Sequence, residues 1–251
     1  MSCCFMKKSI LYISFALIIL SSTSSVWKKQ SLTRANQTTE KMKLLYVYDA
    51  LCGWCYGFGP VVEKIEKDFN GSVEVEIISG GMVMGDRVAP VGNMAGYILN
   101  AIPRVEKTTG IQFGQPYIDL LKEGSYVTSS EKPSVALCVY KSFTNEKSVE
   151  YGHAIQTSFY KYAKDLNNDS LYADLAAGFN INRAEFLKRM QDSTYLKQAQ
   201  EEFKRAANLG VTGYPTLLVK QEKGYAKITE GYTGYESIEK FLRKNLPAEA
   251  K

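Results

Sequence analysis

Tyr48-Asp49-Ala50-Leu51-Cys52-Gly53-Trp54-Cys55-Tyr56-Gly57-Phe58-Gly59-Pro60 sets two cysteines two residues apart at a change of hydrophobic period. Before it, residues 43–49 (Lys-Leu-Leu-Tyr-Val-Tyr-Asp) are apolar and aromatic, the composition of a short buried strand. After it, Val61, Val62, Ile65 and Phe69 recur at helical spacing, and Asn70-Gly71 supplies a stop. Residues 72–78 (Ser-Val-Glu-Val-Glu-Ile-Ile) alternate as a second strand and run out at Gly80-Gly81. Strand, helix and strand in so short a span form one βαβ unit, whose strands should be parallel.

The spacing explains what the cysteines are for. Two intervening residues place both sulfurs on the first turn of a helix, within disulfide reach. The first sulfur then lies where unpaired backbone N–H groups and the helix dipole stabilise a thiolate. Cys52 is therefore the candidate nucleophile, and Cys55 the thiol that resolves the resulting mixed disulfide. The electrons reside in the pair, so no cofactor is required. Zinc is the competing use of such a motif, but it takes four ligands, and the only other thiol or imidazole groups after Met42 are Cys138 and His153. A non-catalytic module, with a structural disulfide or with thiols that carry a soft metal such as Cu(I), is a further alternative.

Working outward, residues 94–209 read as helices only: 94–107, 116–123, 132–143, 148–164, 169–178, 183–190 and 193–209, separated by Gly, Asn, Ser or Pro. Asn182 ahead of Glu185 is a plausible N-cap with its capping-box acid. Strand character returns at 216–220 and 225–229 around a Gln-Glu-Lys-Gly turn, and a last helix spans 236–245. The fold class expected is α/β: βαβ, a helical insertion, then ββα. One sheet over residues 42–93 and 210–251 is thus interrupted by an all-α subdomain at 94–209.

Gly210-Val-Thr-Gly-Tyr214-Pro215-Thr-Leu-Leu-Val219 is the second informative stretch, because a proline that opens a strand cannot donate to the ladder. With Cys52-Gly53-Trp54-Cys55 and the order of elements, it resembles the DsbA-like branch of the thioredoxin superfamily. The resemblance covers nearly everything after Met42 and implies a thiol–disulfide oxidoreductase or isomerase that exchanges disulfides with protein substrates. It also implies that Pro215 is cis and faces the redox pair, and that Tyr214 pairs with an extended substrate chain. Pro60 resembles the proline that kinks the active-site helix of thioredoxins. Trp54, Tyr214 and Pro215 are accordingly the candidate substrate-binding residues. Strong oxidants of that branch resemble Cys-Pro-His-Cys, whereas Trp54 offers only an indole N–H here, which implies a weaker oxidant. Glutathione-dependent isomerases and kappa-class transferases are similar too, but typically carry serine at the position of Cys52.

Composition narrows the partners. The chain has 251 residues, 45% hydrophobic and 23% charged, ordinary for a globular protein. Its net charge of +5 sits entirely within residues 1–41, which hold six Lys/Arg against Glu40. The remainder is balanced at 25 of each sign, so a nucleic-acid partner is not expected. Lys7-Lys8, the 11-residue apolar run 10–20 and the small residues after it have the layout of a signal peptide, taken as 1–25, with a polar tether at 26–41. Eleven residues are short for a membrane span. The localisation expected is export, to a bacterial periplasm, with any membrane contact through this segment as signal or anchor. An exported enzyme needs a redox partner outside the cytosol to recharge the pair. Translation from Met42 would leave the folded part in the cytoplasm.

Four further features are read more plainly. Asp49 either takes part in proton transfer or caps the turn. Cys138 reads as a small core hydrophobe, His153 as an ordinary helix residue, and residues 80–85 (Gly-Gly-Met-Val-Met-Gly) as either a flexible, Met-lined edge near the site or, by preference, the loop into the insertion.

Overall fold

A computed structural model describes residues 41–247; the expected signal peptide and all but the last residue of the tether lie outside them. Strand β1 (Met42–Tyr48) is the centre of the architecture, and its residues show why. Leu44, Leu45, Tyr46, Val47 and Tyr48 are all buried, as a strand covered on both faces must be. Its side chains alternate between two clusters. Leu44, Tyr46 and Tyr48 enter the main core, whereas Leu45 and Val47 meet Ile78, Ala206, Val211 and Leu218 on the other face.

The chain continues into α1 (Gly53–Asp68) and β2 (Val73–Ser79). β2 runs parallel to β1, with Met42 opposite Val73 and Tyr48 opposite Ser79. On its other edge β1 pairs antiparallel with β5 (Thr216–Lys220), which pairs antiparallel with β6 (Tyr225–Glu230), so the sheet order is β2-β1-β5-β6. The final helix α9 (Tyr235–Asn245) buries Ile238 and Leu242 in the main core. This is the expected thioredoxin-like arrangement.

Between β2 and β5 lie α2 (Gly92–Thr109), α3 (Gln115–Glu123), α4 (Glu131–Lys141), α5 (Ser148–Tyr160), α6 (Asp169–Ala177), α7 (Arg183–Met190) and α8 (Ser193–Asn208). The insertion is not purely helical. Its two-residue strand β4 (Val127–Thr128) pairs antiparallel with β3 (Ala89–Pro90), which precedes it. A strand of two residues is too short to show a period, which is why it does not show in the sequence. Helix α5 also stops at Tyr160, short of the expected Lys164, because the chain turns back through Ala163 at φ +49°. Asn182 caps α7 as expected, its side chain accepting the Glu185 N–H at 2.9 Å.

Tyrosines build much of the insertion's core. Tyr140 and Tyr151 stack with centroids 4.2 Å apart. Their hydroxyls, and that of Tyr172, donate to the backbone oxygens of Glu146, Tyr172 and Leu166 respectively. Tyr117, Tyr140, Tyr160 and Tyr172 are buried, whereas Tyr162 is exposed. The last helix of the insertion, α8, serves the sheet as well, delivering Ala206 to the face opposite α1. Among the described residues no helix is long and apolar enough to cross a membrane.

Candidate active site

The end of β1 and the start of α1 create the site. Asp49 closes the turn between them: its carbonyl accepts the Cys52 N–H at 3.1 Å and its carboxylate accepts the Leu51 N–H at 2.9 Å. Cys52 is the N-cap of α1, in extended conformation, and its sulfur accepts the Cys55 N–H at 3.3 Å. The sulfur thus takes the place that Ser or Asp oxygens usually hold, at the positive end of the helix. Both cysteines are free thiols in this structure. Cys52 is 5% exposed and Cys55 wholly buried. Burial pushes the Cys55 thiol well above the usual cysteine range, with the neighbouring Cys52 adding to the effect; a backbone hydrogen bond from Asp49 opposes it.

The strand-opening proline faces this pair. The Tyr214–Pro215 peptide bond is cis, and the Tyr214 carbonyl accepts the Cys52 S–H at 3.5 Å across 162 residues of sequence. The tyrosine is itself fixed from the other side, its hydroxyl donating to the Gly80 carbonyl at 2.7 Å. Its ring lies where a side chain on residue 80 would be: an added Cβ would come within 2.0 Å of it. Residues 80–82 are therefore part of the site, the less favoured of their two readings in the sequence.

Of the residues singled out in the sequence, Cys52, Cys55 and Tyr214 converge, and Pro215 follows directly in the chain. Trp54 is set apart. Its ring neighbours are Tyr232, with centroids 6.3 Å apart, and the Arg104 guanidinium at 5.9 Å, so it belongs to the rim. Asp49 does cap the turn, and it does more than that, as developed below. Cys138 is buried, and desolvation raises its thiol to about 12, in keeping with a core residue. His153 is more than a passive helix residue: its Nδ1 meets Glu63 Oε1 at 2.5 Å and links α5 to α1.

Two contributors come from the insertion and carry no sequence signal. Gln156 of α5, fully buried, donates to the carbonyls of Asp49 at 3.0 Å and Cys52 at 3.5 Å. Ser130, just before α4, donates to Asp49 Oδ1 at 2.8 Å. Among the described residues no group of three or more His, Cys, Asp or Glu side chains is arranged to hold a metal ion.

The model of the DSBA-like thioredoxin domain family matches residues 43–244, most of the chain. The chain belongs to that family. Its DsbA-like fold is shared by a candidate protein disulfide isomerase from Nitrosomonas europaea, with 24% identity, a TM-score of 0.69, and coverage of 82% of this chain and all of that one. The cytosolic disulfide reductase DsbM from Pseudomonas aeruginosa is similar at 24% identity and a TM-score of 0.67, over 80% of this chain and 97% of its own. A 2-hydroxychromene-2-carboxylate isomerase shares the fold at 13% identity and a TM-score of 0.55, over 81% and 93% of the two chains. No curated protein matches this DsbA-like chain significantly in sequence.

Proposed function

We propose that this DsbA-like protein catalyses thiol–disulfide exchange with thiol and disulfide groups of other proteins, Cys52 attacking and Cys55 resolving. The observation that carries the reading is the meeting of Cys52 Sγ, at the N-terminus of α1, with the Tyr214 carbonyl in front of Pro215. In the reducing direction, the Cys52 thiolate attacks a substrate disulfide. One Cys52–substrate S–S bond forms as the substrate bond breaks, and the departing sulfur takes a proton. Cys55 then attacks Cys52, releasing the second substrate thiol and leaving the Cys52–Cys55 disulfide. Two electrons and two protons have passed to the substrate, and oxidation is the same sequence reversed.

The geometry divides the labour in this way because Cys55 is wholly buried with a raised thiol, whereas Cys52, 5% exposed, occupies the cap position at the N-terminus of the helix. Tyr214 and Pro215 present the backbone against which a substrate chain lies, with Trp54 at the rim. The Gly53-Trp54 dipeptide brings no cation between the sulfurs, which favours a reductase or isomerase over a strong oxidase. Export to an oxidising compartment, with a separate redox partner to recharge the pair, is the location and circuit that fit the signal-like first 25 residues.

A Cys55→Ser variant tests the assignment. Without its resolving thiol it should accumulate mixed disulfides between Cys52 and thiol-bearing proteins, visible as reductant-sensitive adducts by mass spectrometry. Adducts at Cys138 in place of Cys52, or no adducts from a folded variant, would contradict it.

A further inference from the structure

The turn before Cys52 is organised around one carboxylate. Asp49 is fully buried. Leu51 N–H and the Ser130 hydroxyl donate to its Oδ1 at 2.9 and 2.8 Å, and Met82 N–H donates to Oδ2 at 2.7 Å. These donors come from the turn itself, from the segment after β2 and from the insertion, so one side chain ties three parts of the chain together at the site. Burial raises the acid's proton affinity, and the donors oppose that rise by favouring the charged form.

Two carboxylate oxygens offer about four lone-pair directions. Leu51, Ser130 and Met82 fill three of them, and none of the carboxylate's hydrogen bonds runs to a cysteine sulfur. What it presents to the pair is charge, close enough to disfavour a Cys55 thiolate and poorly screened because it is buried.

We propose that Asp49 is a positioning residue of the exchange reaction: a fixed buried anion that holds the Cys52 turn and makes the Cys52–Cys55 pair more reducing. The inference rests on the thiol–disulfide exchange proposed above. Reducing the pair adds two electrons to the S–S bond and yields two sulfurs that share up to two protons. Nearby negative charge opposes any anionic form of that product, so it drives electrons toward the partner. Glutathione closes the balance, two glutathione thiols becoming one glutathione disulfide as the protein disulfide becomes a dithiol.

The test is the equilibrium constant of the pair with glutathione, for the wild type and for Asp49→Asn, which keeps the shape and removes the charge. The variant should be about tenfold easier to reduce, about 30 mV for a two-electron couple. Its Cys52–glutathione mixed disulfide should also resolve faster, because a Cys55 thiolate is then less opposed. A folded variant with an unchanged constant would overturn the inference, and so would slower resolution, which would make Asp49 a proton acceptor. Should Asp49→Asn not fold, Asp49→Ser serves. It keeps a turn-capping oxygen and removes the charge, so the pair should again become easier to reduce, and no change or the opposite sign would refute the inference. A wild type that does not equilibrate with glutathione at all would bring down the functional proposal and this inference with it. A wild type that equilibrates while both variants match it would bring down the inference alone.

Discussion

Cys52→Ser is expected to abolish thiol–disulfide exchange while leaving the fold in place. A serine hydroxyl is not ionised near neutral pH and forms no mixed disulfide, so the loss should reach at least about 10³-fold. The structural consequence should be small. The position is an N-cap whose sulfur accepts the Cys55 N–H, and a serine oxygen is a preferred acceptor there. The cost to stability should stay within about 1 kcal/mol, since the side chain is small and its neighbours are the Tyr214 carbonyl and the α1 backbone. Exchange with a model disulfide, read alongside a thermal melt, separates the two quantities. A variant that stays folded and inactive supports a catalytic pair. Collapse of the fold would instead mark the cysteines as structural, and retained activity would remove Cys52 from the mechanism.

Gly80→Ala should damage the site without touching either cysteine. The new methyl would lie 2.0 Å from Tyr214 Cε1, 2.3 Å from its Cζ and 2.6 Å from its hydroxyl. Overlap at those distances can be relieved only by swinging the ring away, which breaks the Tyr214 hydroxyl bond to the Gly80 carbonyl. The Tyr214 carbonyl, the partner of Cys52, loses the anchor that its side chain provides. Overpacking of this kind costs about 1–3 kcal/mol, and the displaced backbone should slow exchange by roughly 10²-fold. Gly96→Ala is the matched control. That position on α2 is exposed with open space around it, so alanine there should leave exchange unaltered and add about 0.5–1 kcal/mol of helix stability. If Gly80→Ala exchanges at the wild-type rate, Tyr214 does not position the reacting sulfur.

Legibility in the sequence followed the range of the interactions. The β1-α1-β2 unit could be read because each element carries its own period and the cysteines fall at the junction between two of them. The later strands and Pro215 stood out for the same local reason. β3 and β4 did not, since two residues each set no pattern, and they are held by pairing across 39 positions (Thr128 with Ala89). Gln156 was hidden differently. A glutamine among Tyr151, Ile155 and Phe159 passes for a surface position on a helix, yet it is fully buried because two carbonyls, 107 and 104 positions earlier, require its amide. Gly80 and Ser130 likewise answer to partners distant in sequence, Tyr214 and Asp49. The chemistry was therefore legible through its two cysteines, while the residues that hold them in place needed the fold.

The most direct test of the central claim is the equilibrium of the Cys52–Cys55 pair with glutathione, followed by mass on protein beginning near Met42. A disulfide exchanging reversibly at a potential between about −270 and −180 mV is predicted, the range of reductases and isomerases of this chemistry. A potential near −120 mV would contradict the weak-oxidant assignment. A pair that forms no disulfide, or one below about −300 mV as structural disulfides are, would contradict the exchange function itself.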